Sequence, residues 1–184
     1  MERRYPAVKN LLLVIDYQKD FVDGALGFPG AEALDGPIAA RIRAYRAAGD
    51  DVAFTLDTHG ADYAHTQEGR RLPVPHCIAG SPGWALYGET ARARDPEADM
   101  AFEKPAFPSL VLGGWLKGRG YARVELCGLV SHICVLSNAV IAKAALPEAE
   151  IVVDARLTAS YDAALHEKAL DVLEGLQVTV LNRA

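Results

Sequence analysis

Five consecutive aliphatic residues, 11–15, run directly into Asp16, and this junction constrains the fold more than any other feature of the chain. A short run of branched apolar side chains is typical of a strand that is buried on both faces, as in a parallel sheet. A carboxylate directly after such a strand needs a reason, because a buried unpaired charge is costly. Other apolar stretches lead in the same way to Lys104 and to Cys134. Ligands bind at the carboxyl ends of strands in open parallel sheets, so we predict that an acid, an amine and a thiol converge on one crevice.

Apolar runs alternate with helical patterns along the whole length of the chain. This order of strands and helices predicts an α/β protein with a three-layer α/β/α sandwich and a mostly parallel six-stranded sheet. The predicted strands are 11–15, 52–56, 99–103, 123–128, 150–153 and 177–181.

Two segments carry clear helical stripes. Segment 37–48 has one apolar stripe and is followed by Gly49, and segment 161–174 is followed by Gly175, which stands where a helix cap belongs. The stripe of the second helix consists of Leu165, Ala169, Val172, Leu173 and Leu176.

Length, charge and cysteine content narrow the class of protein. A chain of 184 residues predicts one domain, 1–184. The net charge of −5 and the absence of a basic cluster argue against nucleic acid as a partner. No segment approaches the ~18 apolar residues of a membrane span, and the first apolar run is too short for a secretory signal. Three cysteines without a Cys-x-x-Cys pair favour a reducing cytoplasm over a disulfide framework.

The long irregular segment 57–98 carries a cluster of potential metal ligands and begins at the end of a predicted strand. A loop of this length inside a domain is usually functional. Carboxylates and imidazoles suit zinc, iron or manganese, although any single loop histidine is more often merely solvated. Several candidates within twenty residues favour a divalent metal site. The candidate ligands are Asp57, His59, His65, Glu68 and His76.

Cys134 precedes a helical run that extends to about Ala145, which places its sulfur in the first turn of a helix. The helix dipole would lower the pKa of the thiol there, and the free N–H groups could bind an oxyanion. The alternative is a buried cysteine that acts as a small apolar residue, which fits Cys127 and Cys77 better. His132 is two residues from Cys134 and should point away from it, so we expect a helix-start role rather than a base.

Three motifs, in order and spacing, resemble those of the nicotinamidase/isochorismatase-like cysteine hydrolases. The resemblance covers nearly the whole chain, and each motif alone is weak whereas the three together are specific. The motifs are Asp16-x-Gln18-x-Asp20-Phe21, Glu103-Lys104-Pro105-Ala106-Phe107 and the turn 128–135 that contains Cys134.

The resemblance implies a catalytic mechanism for these positions. Asp16 would take the proton of Cys134, and Lys104 would hold both groups in place by its charge. The thiolate would attack an amide carbonyl and form a thioester. The N–H groups of Val130 and Cys134 would form the oxyanion hole, and a cis peptide bond would join Leu129 to Val130.

The resemblance also sharpens the metal site. Asp57-x-His59 and the Pro-His-Cys triplet at His76 match the metal motif of nicotinamidases, which isochorismatases lack. Some nicotinamidases place a histidine like His65 as the fourth ligand and others a glutamate like Glu68, and we favour Glu68. In that family the metal meets the pyridine nitrogen of nicotinamide and orients the substrate.

The chain departs from the nicotinamidase pattern at the expected aromatic walls. It has 107–110 as Phe-Pro-Ser-Leu instead of Tyr-Ser-Ala-Phe, and Pro73 replaces an aromatic residue. We expect Phe21, Trp84 and Phe107 to line the substrate pocket, although Trp84 could equally pack within the loop. The departure admits a different ring or a non-aromatic amide.

These features predict a metal-containing amidohydrolase of pyridine nucleotide salvage that converts nicotinamide to nicotinate and ammonia. The nearest alternative is an amidase of the same family that acts on another carboxamide or a carbamoyl compound. An isochorismatase fits less well because the metal ligands are present. Two rival hypotheses come from other classes of protein: a non-catalytic interaction module on the same scaffold, and a flavodoxin-like cofactor binder. The sequence has no phosphate-binding loop to support the second. Family analogy suggests a homo-oligomer, either a dimer or a tetramer.

Overall fold

Six strands form one parallel sheet in the order β3-β2-β1-β4-β5-β6, in a computed structural model that describes residues 9–183. The strands are β1 Asn10–Ile15, β2 Asp51–Asp57, β3 Met100–Lys104, β4 Arg123–Leu129, β5 Glu150–Ala159 and β6 Thr179–Leu181. The helices are α1 Lys19–Val22, α2 Asp35–Ala48, α3 Gly88–Ala93, α4 Leu110–Leu116, α5 Leu136–Ala145 and α6 Ala163–Gly175. Short 3₁₀ turns occupy Ala31–Leu34, Tyr63–His65 and Pro82–Trp84, and a π-helical turn occupies Ser131–Val135.

The predicted three-layer α/β/α fold is confirmed, and β1 shows why it forms. All five residues of 11–15 are completely buried. Alternate side chains point to opposite faces of a strand, so Leu13 packs in one apolar core and Leu12 in the other. The first core includes residues of α4, α5 and α6, and the second includes residues of α2. That the chain is one domain over 1–184 stays a prediction.

Four strands agree with the prediction to within one residue at each end, and β5 and β6 depart further from it. β5 continues to Ala159, six residues beyond the predicted end, after an irregularity in its pairing with β4. β6 begins only at Thr179, because Gln177 takes a left-handed φ of 63° and the N–H of Val178 still bonds to the carbonyl of Leu173. The extension of β5 carries the chain to the edge of the sheet where the functional residues lie.

The two predicted helices are present, but the buried face of α6 differs from the prediction. Gly49 caps α2 in a left-handed conformation with φ 80°, as expected. In α6 the buried stripe is Ala169, Leu170 and Leu173, while Val172 is 49% exposed. Apolar residues occur on two sides of this helix, and packing against the sheet selects the side that includes Leu170. Gly175 is the last helical residue rather than the cap.

The sheet places four functional segments side by side at its carboxyl edge. Ile15 is paired with Gly128 on one side and with Thr55 on the other, and Asp57 is paired with Lys104. The residues that follow these strands therefore face a common crevice. None of the helices within residues 9–183 is long and apolar enough to cross a membrane.

Candidate active site and metal centre

The structure brings the predicted acid, amine and thiol together. The ammonium Nζ of Lys104 lies 2.6 Å from a carboxylate oxygen of Asp16 and 3.6 Å from the sulfur of Cys134. All three side chains are at most 5% exposed. A second carboxylate oxygen, from Asp57, lies 3.1 Å from the same ammonium. The Lys104 side chain therefore joins the thiol region to the predicted metal ligands.

Backbone geometry at the strand ends aims Asp16 at this cluster. Asp16 has a left-handed φ of 44°, which asparagine and aspartate tolerate better than most residues. The hydroxyl of Thr55 donates a 2.6 Å hydrogen bond to the other Asp16 carboxylate oxygen. On the neighbouring strand Gly128 has φ 107°, and a Cβ there would lie 2.0 Å from the carbonyl oxygen of Ile15. The close approach of β1 and β4 thus requires glycine at this position.

Burial is the largest single influence on the pKa of each of these three side chains. It raises the pKa of Asp16, and the Lys104 ammonium opposes that shift. Burial alone would lower the pKa of Lys104, but the neighbouring carboxylates and thiol leave it above its usual value. Burial and the Asp16 carboxylate raise the pKa of the Cys134 thiol well above its usual value. The resting site therefore holds a neutral thiol beside the Lys104 ammonium.

This ionisation corrects the expectation of a lowered thiol pKa. Cys134 lies in the π-helical turn Ser131–Val135, and the α-helix begins only at Leu136. The helix dipole acts weakly there compared with the loss of solvation. The sulfur is therefore a thiol at rest rather than a free thiolate. Cys77 and Cys127 are buried free cysteines, as predicted.

The proposed oxyanion residues lie in the turn after β4. The peptide bond between Leu129 and Val130 is cis, as the resemblance implies. Val130 and Cys134 both line the cavity described below. The amide of Asn138 donates a 2.8 Å hydrogen bond to the carbonyl of Cys134 and holds the turn in place.

Three of the predicted metal ligands form a buried cluster. Ligand atoms of Asp57, His59 and His76 all lie within 4.8 Å of one another. Nε2 of His59 is 3.0 Å and Nε2 of His76 is 3.4 Å from one carboxylate oxygen of Asp57. The other ring nitrogen of His76 bonds to the carbonyl of Val74 at 2.8 Å, which orients Nε2 towards the cluster. Two imidazoles and a carboxylate are a donor set that suits zinc, iron or manganese.

The structure favours Glu68 over His65 beside this cluster. A carboxylate oxygen of Glu68 lies 3.8 Å from Nε2 of His59 and 3.7 Å from Nε2 of His76. His65 is exposed, and its backbone carbonyl accepts a hydrogen bond from the side chain of Arg70. Glu68 can therefore complete the donor set, whereas His65 does not join it.

The side chain of Gln18 holds the end of β2 at Asp57, and the sequence analysis assigned it no role. Its side-chain oxygen accepts a 2.8 Å hydrogen bond from the N–H of Asp57, and its amide donates to the carbonyls of Asp57 and Trp84. Asp20 similarly accepts a 2.7 Å bond from the N–H of Cys77, next to His76. Both residues belong to the motif Asp16-x-Gln18-x-Asp20-Phe21, and this membership could have pointed to their role in the site.

A cavity of about 390 Å³ opens over the sulfur of Cys134. Phe21 and Phe107 line it, as predicted. Trp84 does not line it, because its indole N–H bonds to the hydroxyl of Thr58 at 2.8 Å and the ring packs in the α2-side core. Sequence reasoning missed further apolar lining residues, which are Leu26, Phe28, Leu72, Ile133 and Tyr161.

The sequence matches a known protein family and a known enzyme. The family model described as an isochorismatase domain matches residues 10–184. A nicotinamidase/pyrazinamidase of Mycobacterium tuberculosis is 28% identical over 148 residues, which cover 70% of this chain and 75% of that protein.

Solved structures give the same result. A nicotinamidase/pyrazinamidase of Bacillus subtilis superposes with a TM-score of 0.83 at 31% identity and covers 95% of this chain and 100% of its own. An N-carbamoylsarcosine amidase of Thermoplasma acidophilum has a TM-score of 0.76 at 25% identity and covers 96% and 99% of the two chains. The family model spans nearly the whole sequence, and we conclude that this chain belongs to the isochorismatase-like hydrolase family.

Proposed function

We propose that this protein is a metal-containing amidohydrolase that converts nicotinamide to nicotinate and ammonia through a thioester on Cys134. The observation that carries this proposal is the position of Lys104, whose ammonium contacts Asp16, Asp57 and the sulfur of Cys134 at once. One side chain thus links a nucleophile and its proton acceptor to a set of metal ligands. A structural ion pair would not need the thiol or the imidazoles.

The residues present fit a divalent metal. Asp57, His59 and His76 would hold it, with Glu68 as the fourth protein group. Burial raises the pKa of the Asp57 carboxyl, but the imidazoles of His59 and His76 and the Lys104 ammonium outweigh it, so the pKa lies below its usual value. The carboxyl is therefore available as an anionic ligand. When bound, zinc, iron or manganese would supply Lewis-acid chemistry that orients the substrate.

In the first half of the reaction the Cys134 sulfur attacks the amide carbonyl carbon. Its proton passes to the Asp16 carboxylate as the carbon–sulfur bond forms, so the thiol never has to be a free thiolate at rest. The N–H groups of Val130 and Cys134 stabilise the oxyanion. The intermediate then collapses, the carbon–nitrogen bond breaks, and Asp16 returns its proton to the departing ammonia.

In the second half water hydrolyses the thioester. Asp16 accepts a proton from the attacking water, the carbon–sulfur bond breaks as nicotinic acid forms, and the acid loses its remaining proton to solvent as nicotinate. The proton on Asp16 then returns to the sulfur of Cys134. Throughout, the Lys104 ammonium stays charged and offsets the negative charge that moves between sulfur and carboxylate.

The charge of the cavity favours a neutral amide over the nearest alternative, a carbamoyl compound with a carboxylate, such as N-carbamoylsarcosine. The charged residues of the lining are Asp57 and Glu68, and neither lysine nor arginine contributes to it among the described residues. A substrate carboxylate directed away from the metal ligands would meet no lysine or arginine of the lining and would lose solvation on entry. The aromatic lining suits the flat ring of nicotinamide instead.

An ammonia-release assay tests the proposal directly. Purified enzyme loaded in turn with Zn²⁺, Fe²⁺ or Mn²⁺ would be given nicotinamide, benzamide, propionamide and N-carbamoylsarcosine. We expect release from nicotinamide, loss of release in Cys134→Ala, and loss on chelation with recovery when metal returns. Release from N-carbamoylsarcosine but not from nicotinamide would replace the proposed substrate.

The predictions about cellular context stay proposals of the same kind. Three buried free cysteines fit a reducing compartment such as the cytoplasm. We also propose a homo-oligomer, which light scattering on the purified protein would test. A dimer or tetramer is the expected mass, and a monomer at micromolar concentration would contradict it.

A further inference from the structure

Four aromatic rings line the cavity, and they lie at different depths. They are Phe21, Phe28, Phe107 and Tyr161. The reactive groups form the floor, where Cys134 and His76 are 5% and 2% exposed. Phe107 and Tyr161 are 44% and 61% exposed and therefore lie at the mouth. A substrate whose amide reaches the sulfur must extend past these rings.

Two of the rings meet across the mouth from distant parts of the chain. Phe28 follows α1 and Tyr161 follows β5. Their ring centroids are 6.3 Å apart and the rings are inclined by 77°, which is an edge-to-face contact. The pair connects the loop after the first strand to the loop after the fifth and forms one outer wall of the cavity.

Tyr161 is held in position although it is largely exposed. Its hydroxyl lies 3.3 Å from Nε2 of His132, and the two rings pack edge to face at 5.1 Å. The other nitrogen of His132 lies 2.9 Å from the hydroxyl of Ser160. That hydroxyl also accepts the N–H of Asp162, the residue that caps α6. These contacts hold the Tyr161 ring beside the nucleophile turn.

The anchor of this wall belongs to the nucleophile turn. His132 lies in the turn Ser131–Val135, two residues before Cys134. Its two ring nitrogens are engaged by Ser160 and Tyr161 rather than by the sulfur. The distance between the outer wall and the reacting sulfur is therefore fixed through one short segment of backbone.

We propose that Tyr161, positioned by His132 and paired with Phe28, selects flat aromatic carboxamides over short aliphatic ones. This inference rests on the proposed amidase function and names the residues that decide its substrate class. Tyr161 and Phe28 contact the ring of the substrate, and His132 is a positioning residue. The ring pair offers a flat aromatic substrate a contact surface that a short aliphatic amide is too small to fill.

Steady-state kinetics with ring-bearing and ring-free amides test the proposal. Tyr161→Ala and Phe28→Ala should each raise KM for nicotinamide and benzamide about two- to tenfold, the range that corresponds to the ~0.5–1.5 kcal/mol of one ring contact. The value of kcat should stay near wild type, and kcat/KM for propionamide should not change. Val172→Ala, which removes an exposed apolar side chain of α6 outside the cavity, is the matched control.

The positioning role of His132 has its own readout. Tyr161→Phe keeps the ring and loses the hydroxyl, and His132→Gln removes the imidazole that holds it. If the tether acts through Tyr161, each change raises KM for benzamide by less than Tyr161→Ala does, and the double variant is no worse than the stronger single variant. Additive effects would show that His132 acts elsewhere.

Two results would overturn the inference. Equal losses for benzamide and propionamide in Tyr161→Ala would indicate a general structural role, and no loss for either would show that the wall does not touch substrate. If the wild type releases ammonia from none of the three amides, nicotinamide included, the amidase proposal fails instead. NMR titration then decides the inference alone: weaker benzamide binding in Tyr161→Ala supports it, and unchanged binding contradicts it.

Discussion

Two clusters of buried charge lie in the same sheet, and they differ in what their members can do. At the carboxyl edge, Lys104 stands between two carboxylates and beside a thiol. On the α2 face, Arg41 bridges Glu125 and Asp154. In each cluster a single cation contacts two carboxylates that are at most 3% exposed, and in the second cluster Arg123 also lies 3.9 Å from Glu125. Charge balance alone therefore does not distinguish a reactive site from a structural network.

The difference lies in the partners of the carboxylates. Around Arg41 the remaining partners are the Tyr45 hydroxyl, the Asn182 amide, a backbone N–H and the guanidinium of Arg123, which keep their protons. Around Lys104 the neighbouring groups are the Cys134 thiol, which lies beside the ammonium, and the imidazoles of His59 and His76, which contact the Asp57 carboxylate. Thiols and imidazoles exchange protons and bind metals. A buried ion cluster becomes a candidate site when its neighbours can change their protonation or coordinate a metal.

The largest expected effect comes from removing the reactive member of the first cluster. Cys134→Ala should lower kcat for nicotinamide by at least about 10³-fold, because no other group can form the thioester. The free energy of unfolding should change little. Cys127→Ala, which alters a buried cysteine in the middle of β4, is the control and should keep kcat near wild type. Similar losses in both variants would mean that Cys134 matters for packing rather than for chemistry.

Removing the cation from the same cluster should damage both stability and activity. Lys104→Met leaves Asp16 and Asp57 buried without their ammonium, which should cost about 3–5 kcal/mol of unfolding free energy in metal-free protein. Denaturant unfolding measures the loss, and ammonia release should fall below detection. Lys117→Met, at an exposed lysine, should change neither quantity. Full activity of Lys104→Met would remove Lys104 from the mechanism.

Removing the cation of the second cluster should separate stability from activity. Arg41→Met should cost about 2–3 kcal/mol, less than Lys104→Met because solvent reaches the Arg41 guanidinium, which is 31% exposed. The activity per folded molecule should stay near wild type, as measured at a temperature where the variant is fully folded. A loss of kcat in the folded variant would show that the two clusters are coupled.

The smallest effect comes from one hydrogen bond in each cluster. Thr55→Val removes a donor to Asp16 that lowers the pKa of that carboxyl, so the pKa should rise further above its usual 3.8. Since Asp16 must be ionised to accept a proton, the acid limb of the kcat/KM profile should move up by about one pH unit or less. Tyr45→Phe removes the corresponding donor to Glu125 and should cost about 1 kcal/mol without moving the profile. A shift to lower pH in Thr55→Val would contradict the assigned role of Asp16.

The fold and the placement of Asp16, Lys104 and Cys134 could be predicted from the sequence because both depend on local patterns of apolar and polar residues. The run 11–15 and its abrupt end at Asp16 place a strand and its terminal residue, and the same holds for Lys104 at the end of β3. Proximity then follows from the rule that parallel strands present their carboxyl ends at one edge. The candidate metal ligands Asp57 and His59 follow from the same reasoning.

The rest depends on contacts between segments that are far apart in the chain. The Phe28–Tyr161 pair joins two loops, and Arg41 reaches Asp154 across 113 positions. The raised pKa of Cys134 depends on the depth of burial and on two carboxylates from other strands, neither of which a local motif encodes. Trp84 was misplaced for a similar reason, because its N–H finds Thr58 in another segment.

Mass spectrometry of the acid-quenched enzyme tests the central claim most directly. After brief reaction of the metal-loaded protein with nicotinamide, the account predicts an added nicotinoyl mass on the peptide that contains Cys134. The adduct should be absent in Cys134→Ala and should be removed by mild hydroxylamine. Turnover of nicotinamide with no acyl adduct at Cys134, or turnover by Cys134→Ala at the wild-type rate, would contradict it.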